Sequence, residues 1–312
     1  MERQSENKII LIVRHTRLDE LIARFNTQDQ ARFYVEHLGA DFSDYVDEDK
    51  TYKHAVQQAQ LILTRLGRLQ VVDRSFLPNF IFGPKDTVVA LGQDGLVANT
   101  LKYLDGQCLI GVNPDPARWE GILLPFSIHD LVQVLPAVFV HKQAVRKVTM
   151  AQATLNTGEI LLGVNDIFIG PRTHTSARYH IQIGRKQEDH SSSGIIVSTG
   201  LGSTGWLRSI LAGAAGISSA VYGKNGKMGE PPIFAWDSDY LQFSVREPWP
   251  SKTSSAEITF GRITSAEPLV VASHMPENGV IFSDGIEADY LQFTAGTVAT
   301  VTLSDKMGIL AR

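Results

Sequence analysis

Apolar runs and helical periodicities alternate along the first half of the chain. Apolar runs bounded by polar residues predict strands at 8–14, 68–73, 87–91 and 109–113. Apolar residues recur with helical spacing at 18–25, 28–38 and 52–66, while the acidic stretch 41–50 is typical of a solvated loop. This alternation of strands and helices predicts an α/β domain built on a parallel, layered sheet.

The pattern changes near residue 140, where short β-prone segments separated by turn signals replace the alternation. They predict strands at 145–155, 159–169, 178–183, 194–199, 240–245, 256–261, 269–273, 279–282 and 298–303. One helix is predicted from Trp206 to about residue 215. The sequence therefore predicts an α/β domain at 1–142 and a β-rich, sandwich-like domain at 143–312, with a hinge within 140–147.

Composition limits the classes of function. The chain has 312 residues, 43% of them hydrophobic, which allows a sizeable core, and its net charge of −4 argues against nucleic acid as a partner. The single cysteine, Cys108, excludes an internal disulfide framework and is typical of a reducing compartment. The sequence shows no secretory signal, no apolar run of membrane length and no metal-binding histidine motif. We therefore expect a cytoplasmic protein with no membrane partner and no metal-ligand cluster.

The predicted strand at 87–91 leads into a glycine turn, Gly92-Gln93-Asp94-Gly95, and then into a predicted helix. A strand that leads through glycines to a helix N-terminus presents backbone N–H groups that can bind a phosphate. A carboxylate repels a phosphate, so Asp94 suits a different task, such as contact with a hydroxyl or a metal. The alternative is a plain strand–helix turn in which Asp94 caps the helix, and one short glycine motif alone favours it.

A second glycine-rich loop, 198–206, also lies between a predicted strand and a predicted helix. Its Gly200, Gly202 and Gly205 have the spacing of a dinucleotide-binding fingerprint. That fingerprint requires an acidic residue about 20 positions further on, and because none is found there a dehydrogenase-type site is disfavoured. The alternatives are a flexible surface loop, or a loop whose hydroxyls hydrogen-bond a base and phosphates. Those hydroxyls belong to Ser198, Thr199, Ser203 and Thr204.

Two other pairs of residues are candidate ligand contacts. Asn165 and Asp166 lie within an apolar predicted strand, where a polar pair without partners is costly to bury. Adjacent strand residues face opposite ways, so one could point toward a ligand; a β-bulge or a strand end is the alternative. Thr16 and Arg17 follow the first predicted strand, at the edge where open α/β sheets bind ligands. Arg17 could bind a phosphate bidentately or form an ordinary surface ion pair.

Taken in order, these segments resemble the motifs of the NAD kinase family. Residues 92–96 are similar to the family's Gly-Gly-Asp-Gly-Thr loop, and Asn165-Asp166 to its Asn-Glu pair. Residues 194–206 are similar to its Gly-Leu-Ile-Val-Ser-Thr-Pro-Thr-Gly-Ser-Thr-Ala-Tyr stretch. A finer resemblance, to the branch that contains the mitochondrial NAD kinases, rests on Thr16-Arg17 and on 111–121, 164–170 and 283–285.

The resemblance implies an NAD kinase-like two-domain fold whose β half closes a cleft against the α/β half. It implies that the γ-phosphoryl group of ATP is transferred, with Mg²⁺, to the 2′-hydroxyl of the adenosine ribose of NAD. Asp94 would act as catalytic base or position that hydroxyl, and the Gly92–Gly95 backbone would bind phosphate. The remaining nucleotide contacts would come from Asn165, Asp166, Thr199, Gly202, Ser203, Thr204, Trp206, Thr16 and Arg17. The implied partners are small-molecule nucleotides and further copies of the chain, in a homodimer or homotetramer.

The sequence departs from the family pattern chiefly at the first glycine loop. Gln93 replaces a glycine and Leu96 replaces a threonine. If position 93 needs a positive φ, glutamine costs roughly 1–3 kcal/mol of strain there. Two alternatives therefore stay open: a nucleotide-binding protein of this fold that has lost phosphoryl transfer, and a related lipid or sugar kinase. The 164–170 and 198–206 segments favour a dinucleotide over a lipid or sugar.

Overall fold

The computed structural model describes residues 4–223 and 233–312. The chain divides into unit 1, Met1–Arg146 with Ile309–Arg312, and unit 2, Lys147–Gly308. The sequence pattern places the boundary at 142/143 and leaves the C-terminus in the second domain. The difference at the C-terminus arises because the last strand is long and its final residues pair within unit 1.

Unit 1 is an α/β domain, as predicted. Its elements are β1 (Lys8–Val13), α1 (Arg17–Phe25), α2 (Gln28–His37), α3 (Ser43–Leu66), β2 (Arg68–Asp73), β3 (Thr87–Leu91), α4 (Asp94–Leu101), β4 (Cys108–Val112) and α5 (Leu131–Phe139). The strands form a parallel sheet in the order β2-β1-β3-β4. In β1, Ile9 and Leu11 pack with apolar side chains of α3 and α5, while the neighbouring residues alternate to the other face. Burial of both faces accounts for the continuous apolar run of β1.

The strand order of unit 1 reverses beside β1, which lies between β2 and β3. Ile12 of β1 is level with Ala90 of β3, so the carboxyl ends of these two strands meet at one edge of the sheet. The Tyr52 hydroxyl joins the two ends: it accepts from Arg14 N at 2.9 Å and donates to Leu91 O at 2.9 Å. Burial raises the pKa of Tyr52 to about 12, so the hydroxyl keeps its proton at neutral pH. Open α/β sheets bind their ligands at such a reversal.

Unit 2 is a β-rich domain with one long helix. Its elements are β5 (Val145–Leu155), β6 (Ile160–Gly163), β7 (Asp166–Pro171), β8 (Ala177–Ile183), β9 (Lys186–Ser192), β10 (Ile195–Ser198), α6 (Trp206–Tyr222), β11 (Leu241–Val245), β12 (Phe260–Ile263), β13 (Leu269–Ser273), β14 (Gly279–Ser283), β15 (Ile286–Gln292) and β16 (Val298–Ala311). One antiparallel sheet has the order β12-β11-β10-β7-β14-β15, and antiparallel pairing also joins β16, β13, β8 and β9. Inward residues of both sets form a single core, which makes the domain the predicted sandwich.

Several segments differ from the sequence pattern. Most of the stretch 41–50, expected to be a loop, lies in the first turns of α3, where Asp44 and Glu48 pair with arginine side chains. The expected strand 159–169 is two strands that break at Val164 and Asn165, so the Asn-Asp pair lies at a strand end, and its contact with a ligand stays a prediction. The edge strands β9 and β15 are absent from the sequence pattern, because β9 is polar throughout and β15 mixes polar and apolar residues without a continuous apolar run. Among the described residues, no helix has both the length and the apolar character required to cross a membrane.

Candidate functional site

Asp94 is the first residue of α4 and follows the carboxyl end of β3. Its Oδ1 accepts a hydrogen bond from Leu123 N at 2.7 Å, and its Oδ2 accepts a longer one from Ile122 N at 3.3 Å. The N-cap of α4 is Gln93, and no side chain caps this helix. The Asp94 carboxylate therefore does not cap α4 but accepts hydrogen bonds from the 113–126 loop. A carboxylate has about four acceptor positions, so both oxygens keep capacity for a ligand hydroxyl.

The loop that holds Asp94 packs closely on β4. A Cβ at Gly111 would lie 2.0 Å from Leu123 O, so only glycine lets the loop approach the strand this closely. Gly121 has a φ of +64°, which glycine adopts without strain, and Asn113 Nδ2 donates to Trp119 O at 2.9 Å. In the sequence, the segment 111–121 contributes only to the finer family resemblance, and nothing in it indicates that these residues hold Asp94 in place.

The glycine turn itself is unstrained. Gln93 has φ −114° and ψ 165°, an extended conformation open to any residue, so the strain considered for this position does not arise. A Cβ at Gly92 would lie 2.8 Å from Leu96 Cδ2, and a Cβ at Gly95 would meet nothing within 4 Å. Open space beside Gly95, at the start of a helix, suits the approach of an anion.

Restoring the family's threonine at Leu96 is expected to lower the free energy of unfolding by about 2–4 kcal/mol. Leu96 is 2% exposed, so the change would leave a cavity and bury a hydroxyl. Gln93→Gly is the matched control, because glycine at an N-cap changes stability by only a few tenths of a kcal/mol. Urea unfolding of both variants measures the difference, and equal stabilities would show that Leu96 is not a packing residue.

The side chains of Thr16 and Arg17 form hydrogen bonds with acidic residues of α3. Thr16 caps α1, is fully buried and donates from Oγ1 to Asp49 Oδ1 at 2.6 Å. Arg17 donates from Nη2 to Asp44 Oδ2 at 2.8 Å and from Nε to Glu48. Burial acts to raise the pKa of Glu48, but hydrogen bonds from arginines outweigh it and lower the pKa below its usual value. These contacts fix α1 on α3, and contact of either residue with a ligand stays a prediction.

In unit 2 the segment that carries Asn165 and Asp166 is held by Asp284. Asp284 Oδ1 accepts from Asn165 N at 2.6 Å and Asp166 N at 3.2 Å, and its two oxygens lie 3.1 and 3.0 Å from Val164 N. Asp284 and Gly285 have φ of +55° and +71°, as a two-residue turn between β14 and β15 requires. The Ser-Asp-Gly motif therefore positions the Asn-Asp pair.

Asp166 is a buried carboxyl group with one unused oxygen. It is 9% exposed, and its Oδ1 has no hydrogen-bond partner among the described residues. Burial, helped by the nearby Asp284 carboxylate, raises the pKa of Asp166 to about 7, although a hydrogen bond from Ser198 opposes the shift. A Cβ at Gly202 would lie 2.9 Å from this Oδ1. Oδ1 is therefore a buried acceptor without a protein partner, next to the second glycine loop.

Replacing Asp166 by asparagine is expected to remove a pH dependence of stability. The folded-state pKa of about 7 lies above the ordinary value of 3.8, so the folded protein keeps a proton that the unfolded chain releases. Stability from this group is complete below the unfolded pKa and is lost as the pH rises through the folded pKa. Between about pH 5 and pH 8 the wild type should lose about 2–3 kcal/mol more than D166N. Chemical unfolding at the two pH values measures this, and equal losses would contradict it.

Thr199 lies beside the Asn-Asp pair. Its Oγ1 donates to Val164 O at 2.5 Å and accepts from Gly202 N at 3.2 Å, and its N donates to Asn165 O at 3.0 Å. A Cβ at Gly202 would lie 2.1 Å from Asn165 O. The structure thus brings together Asn165, Asp166, Thr199 and Gly202, with the Thr199 hydroxyl already bonded inside the protein.

The other candidate residues of the second glycine loop range from buried to solvent-exposed. Ser203 is buried and donates from Oγ to Gly200 O at 2.7 Å, whereas Thr204 is exposed. Trp206 begins α6 and is half-buried, and its ring stacks on Phe168 with 6.0 Å between centroids and 10° between planes. Contact of Ser203, Thr204 or Trp206 with a nucleotide stays a prediction.

Comparison with known proteins gives matches among solved structures. No protein-family model matches the sequence, and no curated protein matches it. An NAD kinase from Archaeoglobus fulgidus in complex with ATP aligns with a TM-score of 0.56 and 14% identity, over 97% of this chain and 93% of that chain. Yeast NADH kinase complexed with NADH aligns with a TM-score of 0.58 and 14% identity, over 99% of this chain and 84% of that chain. The finer resemblance to the mitochondrial branch stays a prediction. The likeness shows the fold: this chain has the two-domain fold of the NAD kinases.

Proposed function

We propose that the protein is an NAD kinase-like phosphotransferase that transfers the γ-phosphoryl group of ATP to the 2′-hydroxyl of the adenosine ribose of NAD. The observation that carries this proposal is the position of Asp94, at a helix start on the ligand-binding edge of a parallel sheet. Two backbone N–H groups hold its carboxylate there. The fold shared with an ATP-bound NAD kinase and an NADH-bound NADH kinase supports it.

Phosphoryl transfer depends on alignment and charge stabilisation, which this set of residues can supply. Asp94 orients the accepting hydroxyl or takes its proton, and the N–H groups at the start of α4 bind phosphate. In unit 2 the unpartnered Asp166 Oδ1 accepts from a ribose hydroxyl or a base amino group. Asn165 supplies an amide that can pair with either.

Mg²⁺ fits this set only as an ion carried by the nucleotide. Among the described residues, no three His, Cys, Asp or Glu side chains converge as a metal site. Mg²⁺ commonly takes one or two carboxylates together with substrate phosphates and waters, so Asp94 and the phosphates of ATP would be its ligands in unit 1. The ion would neutralise phosphate charge.

A nucleotide-binding protein without turnover is the second candidate. It is favoured by the two backbone hydrogen bonds on Asp94, which suit a structural anchor, and by the buried Leu96 in place of a threonine. This second candidate predicts that the protein binds NAD or ATP but forms no NADP.

The test is incubation of the purified protein with NAD, ATP and Mg²⁺, with NADP measured by an NADP-specific dehydrogenase. NADH, lipid and sugar acceptors form parallel arms, and calorimetry with NAD and ATP measures binding. Formation of NADP establishes the proposal, binding without NADP establishes the second candidate, and absence of nucleotide binding rejects both. Light scattering of the same sample tests the homodimer or homotetramer that the resemblance implies.

Gly95→Ala is expected to raise the KM for ATP about tenfold or more without lowering the melting temperature, because alanine favours the helix at this position. A Cβ at Gly95 meets no protein atom within 4 Å, so the methyl group would obstruct only a ligand. Gly213→Ala is the matched control, because Gly213 also faces open space, in α6. Equal KM values for the wild type and G95A would show that no phosphate lies against this glycine.

A further inference from the structure

A cavity of about 310 Å³ lies at the edge of the unit 1 sheet where its parallel strands begin. The lining includes Asn7, directly before β1, and the first residues of β3 and β4, Thr87 and Cys108. Every residue of this lining belongs to unit 1. Asp94 follows the other end of β3, and at about 3.3 Å per residue the strand separates its two ends by roughly 13 Å. The cavity is therefore separate from the candidate site at the carboxyl ends of the strands.

The apolar part of this lining is mainly aliphatic. Val138 and Phe139 come from the last turn of α5, and Ile309 comes from β16. Ile309 is level with Cys108, which is half-buried. Burial raises the pKa of the Cys108 thiol to about 11, so the thiol stays protonated at neutral pH and behaves as a small apolar group. These side chains suit the hydrocarbon part of a ligand.

The lining also contains a cation that is available to a ligand. Lys85 is exposed and makes no ion pair within the part of the chain that the structure describes. The neighbouring Asp86 carboxylate accepts from Lys8 Nζ at 3.3 Å and from Gly83 N at 2.9 Å, so its charge is already compensated inside the protein. The ammonium group of Lys85 can therefore pair with a negative charge on a ligand.

The surroundings of Lys85 favour a singly charged carboxylate. A phosphate group carries a charge of about −1.5 to −2, and one ammonium group would leave part of that charge uncompensated beside Asp86. Small-molecule sites commonly enclose about 300–1,000 Å³, so this cavity is at the lower limit of that range. Its size and lining suit one small amphipathic molecule.

We propose that this cavity is a binding site for an aliphatic monocarboxylate of medium chain length. The carboxylate pairs with Lys85, and the chain packs against Val138, Phe139 and Ile309. The proposal does not depend on the phosphotransferase activity, because none of these residues has a part in the reaction proposed above.

The experiment is a titration of the full-length protein with octanoate, followed by calorimetry. Octanol and octylamine keep the chain but remove or reverse the charge, so each should bind at least about tenfold more weakly. Butanoate keeps the charge and shortens the chain. Because each buried methylene group strengthens binding about fourfold, butanoate should also bind at least about tenfold more weakly. Cys108 is the only cysteine of the chain, so slower reaction of the protein with a thiol reagent reports octanoate in this cavity.

Lys85→Gln tests the pairing of charges directly. Loss of the ammonium group should weaken octanoate binding about tenfold and leave octanol binding unchanged, so the variant should no longer prefer the acid over the alcohol. Lys85 is exposed, so the substitution should not disturb folding. Lys50→Gln, which removes an exposed lysine of the same unit outside the cavity, should bind octanoate like the wild type.

Three binding results would overturn the proposal: no binding of octanoate at millimolar concentration, octanol or octylamine binding as tightly as octanoate, or unchanged octanoate binding by K85Q. Unchanged reactivity of Cys108 with octanoate bound, or displacement of octanoate by NAD or ATP, would place the ligand elsewhere and would also reject it. Assay of NADP formation by the same preparation separates the two proposals: octanoate binding without turnover leaves this site standing, and turnover without octanoate binding leaves only the kinase.

Discussion

Asp94→Asn is expected to lower kcat for NADP formation by about 10²–10⁴-fold, the usual contribution of a general base. Asparagine has nearly the shape of aspartate and cannot accept the proton of the 2′-hydroxyl. Its amide oxygen can still accept from Leu123 N, the shorter of the two hydrogen bonds at 2.7 Å. Only the 3.3 Å contact with Ile122 N is lost, so the free energy of unfolding should fall by about 1 kcal/mol. Initial-rate kinetics and urea unfolding of the same preparation measure the two effects.

Asp130→Asn is the control for this substitution. Asp130 Oδ2 accepts from Ser127 N and Ser127 Oγ, both at 2.7 Å, and these bonds lower the pKa of Asp130. It therefore repeats the chemical change at another carboxylate that anchors a loop, and kcat should stay close to that of the wild type. If D94N kept full activity, Asp94 would be an anchor alone. If it lost stability and activity together, the loss of kcat would not identify a base.

Most of the fold could be predicted because its strands have a clear apolar pattern in the sequence. The run Ile9 to Ile12 is fully buried, and alternation in unit 2 marks the inward residues that form the sandwich core. The start of α3 could not be predicted, because its acidic residues are stabilised by partners from other elements. Asp44 accepts from Arg17 and also from Arg118, which lies 74 positions away in the sequence. No local pattern reports such a pairing.

The candidate site divides in the same way. The sequence identifies Asp94 and the Asn-Asp pair, because glycines and buried polar residues are visible locally. The groups that hold them are not visible: Leu123 is 29 positions from Asp94, and Asp284 is 119 positions from Asn165. The Ser-Asp-Gly motif predicts a tight turn, but not which N–H groups its carboxylate accepts. The sequence therefore marks the candidate residues but does not predict which groups position them.

Asp284→Ala is expected to lower the free energy of unfolding by about 3–5 kcal/mol. It leaves the N–H groups of Val164, Asn165 and Asp166 without their shared acceptor, and it places alanine at a φ of +55°. The segment that carries the Asn-Asp pair would loosen, so KM for NAD should rise more than kcat falls. Thermal and chemical unfolding, with KM and kcat from the same sample, measure the result.

Asp284→Asn separates the carboxylate from the turn. Asparagine is tolerated at positive φ and keeps one oxygen acceptor, so D284N should lose about 1–2 kcal/mol, clearly less than alanine. Gly285→Ala, at a φ of +71° in open space, reports the cost of backbone strain alone, about 1 kcal/mol. If alanine at 284 cost no more than alanine at 285, the three N–H bonds would contribute nothing. Because the Asp284 charge helps to raise the pKa of Asp166, that pKa should also fall in D284A, and pH-dependent unfolding detects the change.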